Sequence, residues 1–154
     1  MPRPRNASSA SHRERLRRLR KPLRLAFIGG AAPSMIGQAH LRAALMDRCF
    51  TADAGVLPRN AARGVEASAE YGIAPDRSYA SVEHMIALQT QRADEVEAVA
   101  IVTPNDTQRA FALAAIAVGL DVIVDKPLIN SAAESEDVAR AATARGVALC
   151  LTHG

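Results

Sequence analysis

The chain has 154 residues, 49% hydrophobic and only 3% aromatic, enough for one domain whose core is built from Ala, Val, Leu and Ile. Its net charge of +3 is unevenly spread, because residues 1–22 hold eight Lys/Arg against Glu14 alone while the remainder carries an acidic excess. No apolar run approaches about 18 residues, which argues against a membrane span. The two cysteines, Cys49 and Cys150, fit neither a metal spacing nor a disulfide framework, and read as buried or half-buried thiols of a cytoplasmic protein.

Residues 1–22, MPRPRNASSASHRERLRRLRKP, read as a basic, solvated and disordered tail. Their Arg- and Ser-rich, acid-poor composition also suits a transit peptide or a weak polyanion contact. They hold no aromatic side chain to stack on a base, so a nucleic-acid partner is not expected. From residue 23 onward, apolar strand-like runs alternate with Ala-rich helical ones. LRLAFIG (23–29) is the first strand and MIGQAHLRAALMD (35–47) a helix by its three-to-four spacing. FTADAGVL (50–57) is the second strand, halted by Pro58, and residues 60–72 form a helix that stops at Gly72.

Ser78–Tyr79 reads as a short strand, followed by a helix over 81–92 with Ser81 as its N-cap. VEAVAIVTP (96–104) is a buried strand, 106–119 a helix closed by Gly119, and DVIVD (121–125) a strand. A helix over 131–146 opens on the capping box Ser131-x-x-Glu134, and VALCLTHG (147–154) is the last strand. Alternation of this kind predicts an α/β fold. Its mostly parallel sheet of about six strands carries helices on both faces, in the Rossmann-type doubly wound arrangement. The runs VAIV and VIVD are continuously apolar, as strands covered on both sides should be. The predicted organisation is a tail (1–22) and one dinucleotide-binding domain (23–154).

Three stretches carry the chemistry. IGGAAPSMIG (28–37) lies between the first strand and first helix, where a phosphate-binding turn belongs. Gly29 and Gly30 permit close backbone approach, and Ser34, Met35 and Ile36 begin a helix whose N-terminus favours an anion. The strict G-x-G-x-x-G pattern fails in either register, with Ala31, Ala32 and Ser34 at glycine positions. An ordinary β–α loop is the competing reading. The second strand ends Leu57-Pro58-Arg59-Asn60 with no acid to take ribose hydroxyls, and Arg59 suits a 2′-phosphate, which favours NADP over NAD. A solvated loop arginine is the alternative there.

IVTPN (101–105) ends a strand where the strand order should reverse, which puts Thr103, Pro104 and Asn105 at the expected crevice. VIVDKPL (122–128) ends a buried strand in an acid, a lysine and a proline. Lys126 and Lys21 are the chain's only lysines, and an ammonium at a strand's carboxyl end is placed to work. A strand-end salt link to Asp125 is the bland reading.

Taken in order, SMIGQAH (34–40), IVTPN (101–105), AVGLDVIVDKPL (117–128) and LTHG (151–154) resemble the Gfo/Idh/MocA oxidoreductases, over about residues 23–154. The resemblance implies NAD(P) binding and hydride transfer at a CH–OH group of a sugar or polyol. The family's Glu-Lys-Pro signature corresponds to Asp125-Lys126-Pro127, so Lys126 would sit beside the nicotinamide and hydrogen-bond the reacting oxygen. Pro127 would set its turn, through a cis bond in some readings. His40 matches a family histidine that also reads, at helical spacing, as a hydrogen-bonded packing residue, and His153 a position near the crevice.

The sequence departs from the family at Ala31 and Pro33, and in Asp106-Thr107-Gln108 after Pro-Asn, where relatives often carry a histidine. Relatives continue into a second α/β domain that carries most of the substrate pocket, the general base and the oligomer interface. These 154 residues are therefore expected to be a cofactor domain without its substrate half, and no residue here is assigned as the base. A non-catalytic dinucleotide-binding module and an inactive truncated fragment are the alternatives. A methyltransferase suits the Lys-Pro strand end poorly.

Overall fold

The computed structural model describes residues 21–46, 48–57, 61–128 and 131–153. Five parallel strands, β1 (Leu23–Gly29), β2 (Phe50–Val56), β3 (Ala98–Val102), β4 (Asp121–Asp125) and β5 (Leu149–Thr152), form one sheet in the order β2-β1-β3-β4-β5. Five helices connect them: α1 (Met35–Met46), α2 (Ala61–Glu70), α3 (Val82–Gln89), α4 (Asn105–Ala117) and α5 (Ala132–Arg145).

The sheet is doubly wound because its strands alternate two sets of apolar side chains. Leu25, Phe27, Ala98 and Ala100 pack with Leu41 of α1 and Ala67 of α2 on one face. Ala26, Ile28, Val99, Ile101, Val122 and Val124 pack with Met85, Ala112, Ala115, Ile116, Val138 and Ala142 of α3, α4 and α5 on the other. Side chains two residues apart share a face, so each strand serves both layers. The central alanines let the helices sit close, which is how a core with so few aromatics closes.

One expectation is corrected. The sheet has five strands rather than about six, because Ser78–Tyr79 makes only a single parallel bridge to Gly55. The chain has no length to extend there: a 3₁₀ turn over Pro75–Arg77 precedes it and Ser81 already caps α3. Tyr79 N–H still donates to the Gly55 carbonyl at 2.8 Å, so the segment flanks β2 where a further strand would lie. The cysteine expectation is also corrected, since Cys49 and Cys150 are exposed. Both lie where the sheet's edge or a loop meets solvent, and the small core is complete without them. The predicted caps hold: Ser81 and Ser131 accept from the backbone of His84 and Glu134, and Gly72, Gly119 and Gly146 take positive φ after their helices. The basic tail up to Arg20 lies outside the described residues.

Candidate dinucleotide site

Strand order reverses between β1 and β3, whose crossovers leave in opposite directions, and a cleft of about 520 Å³ opens at their carboxyl ends. Its floor is the β1–α1 turn, Gly29 to Ala32, and the end of β3, Val102 to Pro104. Val56 and Leu57 at the end of β2, Ala80–Glu83 at the start of α3, and Thr107 and Phe111 of α4 complete the walls.

The turn at its centre accepts only glycine at three positions. Gly29 has φ +79°, and a Cβ there would stand 2.6 Å from Thr103 Cγ2. Gly30 has φ +87°, and a Cβ on Gly37 would overlap the Gly30 carbonyl. The first turn of α1 therefore rests directly on the glycine turn, the role of a dinucleotide fingerprint's last glycine, although the spacing from Gly30 to Gly37 is longer. Ser34 caps the helix by accepting from Gly37 N–H at 3.1 Å, and the Met35 and Ile36 amides of its first turn have no acceptor within the helix. Met35 is 86% exposed.

A residue not singled out by sequence holds this turn in place. Tyr71, just beyond α2, is 3% exposed; its hydroxyl donates to the Gly30 carbonyl at 2.7 Å, and its ring meets Phe27 edge-on at 5.0 Å. Burial, with the charge of Glu70 adding to it, pushes its hydroxyl up from 10.0 to about 12. The available signal was a tyrosine, one of only two in the chain, placed against a helix-ending glycine.

Of the predicted residues, Gly29, Gly30, Thr103 and Pro104 line the cleft. Thr103 is fixed by Thr107, whose hydroxyl donates to it at 2.9 Å, and by buried Gln108, whose amide donates to the Thr103 carbonyl at 3.1 Å. Asn105 is the first residue of α4. Asp125 ends β4, and Lys126 and Pro127 follow it, exposed and joined by a cis peptide. These three share the sheet's carboxyl edge with the cleft, one strand beyond β3, without lining it. Arg59 lies outside the described residues, and His153 is exposed beyond β5.

His40 is a packing residue with a hydrogen-bond partner, one of the readings its spacing allows. Its Nε2 lies 3.6 Å from Asp125 Oδ1 and 3.4 Å from Thr152 Oγ1, and the Thr152 hydroxyl donates to Asp125 Oδ1 at 3.2 Å. Among the described residues no group of three His, Cys, Asp or Glu is gathered to hold a metal ion, and no helix is long and apolar enough to cross a membrane.

Comparison with known proteins agrees with this geometry. The profile of the Gfo/Idh/MocA oxidoreductase family, described by its NAD-binding Rossmann fold, matches residues 23–153. The chain is 35% identical over 135 residues to the uncharacterized oxidoreductase YfiI of Bacillus subtilis, a match covering 87% of this chain and 34% of that protein. Among solved structures, an inositol dehydrogenase homolog of Azotobacter vinelandii, in complex with NADH and myo-inositol, superposes with TM-score 0.84 at 34% identity. That match covers 88% of this chain and 36% of the homolog. An oxidoreductase of Pseudomonas syringae superposes with TM-score 0.83 at 32% identity, over 86% of this chain and 36% of the other. The chain thus spans about a third of the length of these relatives. It belongs to the Gfo/Idh/MocA oxidoreductase family and carries that family's NAD-binding Rossmann domain.

Proposed function

We propose that the cleft at the β1/β3 divide holds a nicotinamide dinucleotide for hydride transfer to or from a CH–OH group of a sugar or polyol. The observation that carries this reading is the turn where a Cβ at Gly29 or Gly37 has no room: a bare backbone cradle at a helix N-terminus suits a pyrophosphate. Gly29, Gly30 and the first amides of α1 at Met35 and Ile36 would take the phosphates, with the Ser34 hydroxyl capping that helix beside them. Thr103, Pro104 and Asn105 would border the nicotinamide side, and Leu57 with Ala80–Val82 gives an apolar wall for the adenosine end. Arg59 would meet the 2′-phosphate of NADP, the cofactor preference we favour. The bound nicotinamide would supply the hydride acceptor or donor.

Lys126 is assigned the catalytic role. As an ammonium at the strand edge it would donate to the reacting oxygen and stabilise negative charge developing there. Asp125 and Pro127 would fix the backbone that presents it. The substrate, and any oligomer, would be engaged by a second domain like the one the relatives' greater length implies; a non-catalytic dinucleotide module is the competing reading.

Titrating the 154-residue chain with NADH and NADPH, followed by nicotinamide fluorescence, tests the reading. Saturable binding is expected, weakened for both cofactors by Lys126→Ala and for NADPH alone by Arg59→Ala. A folded chain that binds neither at millimolar cofactor would overturn it.

A further inference from the structure

We infer that His40 and Thr152 are positioning residues that hold the Asp125 carboxylate away from its neighbour Lys126, leaving the ammonium unpaired for a ligand. The inference rests on Lys126 being the working group of the proposed site. Lys126 lies just past the strand end, where the strict alternation of side chains stops and its long stem can fold back to the adjacent acid; that pairing would occupy the donor hydrogens the ligand needs.

The structure does something else with the acid. Asp125 Oδ1 accepts from the Thr152 hydroxyl at 3.2 Å and lies 3.6 Å from His40 Nε2. The side chains of His40 and Asp125 are only 12% and 19% exposed, so the contact is shielded from water that would weaken a surface pair. Among the described residues, Lys126 makes no ion pair, and its side chain is exposed.

Three elements meet at that carboxylate: α1 brings His40, β4 brings Asp125 and β5 brings Thr152. Helix α1 also begins at the glycine turn, so one rigid element joins the phosphate cradle to the strand end that bears the lysine. The parallel register sets Thr152 directly beside Asp125. The Thr152 hydroxyl gives the half-buried carboxylate a hydrogen bond, and the His40 imidazole lies at ion-pair range of the same oxygen.

Acylation of the apo chain with a water-soluble activated ester tests this, because only the neutral amine reacts and Lys126 can be read against exposed Lys21 in the same molecule by mass spectrometry. In His40→Leu/Thr152→Val, which removes both polar partners, the released carboxylate turns to Lys126 and favours its ammonium form. The Lys126:Lys21 rate ratio is then expected to fall about threefold, the scale of an exposed ion pair. Adding Asp125→Asn should restore the ratio, and Thr152→Ser, which keeps the hydroxyl, should leave it at the wild-type value. A merely loosened strand end would not slow the lysine.

An unchanged ratio in the double variant overturns the inference. Should that variant not fold by circular dichroism, Asp125→Asn alone decides. Little change, under about twofold, supports the inference, whereas a rise of about threefold or more means Asp125 already pairs with Lys126 and overturns it. Protection of Lys126 by NADH reports on the cofactor reading separately, since the ratio is measured without cofactor.

Discussion

Tyr71 does at residue scale what the missing glycines of the fingerprint would otherwise do. With Ala31 and Ala32 in place of glycines, the β1–α1 turn has less freedom to settle against a phosphate. The Tyr71 hydroxyl at 2.7 Å fixes the Gly30 carbonyl, and Gly37 permits the helix to lie on it. Tyr71→Phe keeps the ring packed on Phe27 but leaves a buried carbonyl unpaired. We expect it to cost about 1–3 kcal/mol of stability and to weaken NADH binding, measured by denaturant unfolding and by fluorescence titration. The sign of the pH dependence follows from the burial of the same hydroxyl, with the Glu70 charge adding to it. The folded chain holds this phenol's proton up to about 12, against 10.0 for an ordinary tyrosine. The folded state therefore binds more protons than the unfolded one between those values. The stability it contributes is present below pH 10 and is lost as pH rises toward about 12. Alkaline unfolding curves should show this loss in the wild type and lack it in Tyr71→Phe.

Among the elements, the helices and their caps were legible because they depend on neighbours in sequence. Ser131 accepts from Glu134 N–H at 3.2 Å and its hydroxyl donates to the Glu134 carboxylate at 3.2 Å, as Ser-x-x-Glu predicts except that the carboxylate accepts from the Ser131 hydroxyl rather than from its backbone N–H. Ser131→Ala should destabilise the domain by about 1 kcal/mol, read as a lowered urea midpoint at constant slope; no change would mean α5 is held by packing alone. Strand boundaries were less legible. The apolar run into Pro104 predicts β3 beginning at 96, yet it begins at Ala98, because Val96 is used by Gln89, whose side-chain oxygen accepts from its N–H at 3.1 Å. Ser78–Tyr79 had strand-like residues but no partner along its length beyond Gly55. What sequence could not supply was long-range: that His40 and Thr152, 112 residues apart, close on Asp125, or that Tyr71 reaches back to Gly30. Pattern reading finds periodicity within an element, and those contacts exist only once α1 has been laid across the sheet.

At the scale of the whole molecule, the site belongs to both halves of the sheet at once. Its turn and apolar wall come from β1, β2 and α3, while Thr103, Pro104, Thr107 and Phe111 come from β3 and α4. A ligand spanning that divide should stabilise a single cooperative unit, because the two core layers run continuously through the central strands β1 and β3. At a free concentration a hundred times its Kd, NADH is expected to add about 2.7 kcal/mol, a rise in Tm on the order of 10 °C for a domain of this size. Calorimetry should show one transition that moves as a whole. ADP-ribose, which fills the phosphate cradle but brings no nicotinamide, should produce a smaller shift of the same transition, and Lys126→Ala should reduce the NADH shift toward the ADP-ribose value. Two transitions, with only one responding to ligand, would mean that the β1–β2 half binds alone and that Thr103 and Lys126 stand outside the site. A single transition moved equally by both ligands would leave the phosphate cradle intact and remove the nicotinamide contact from Lys126.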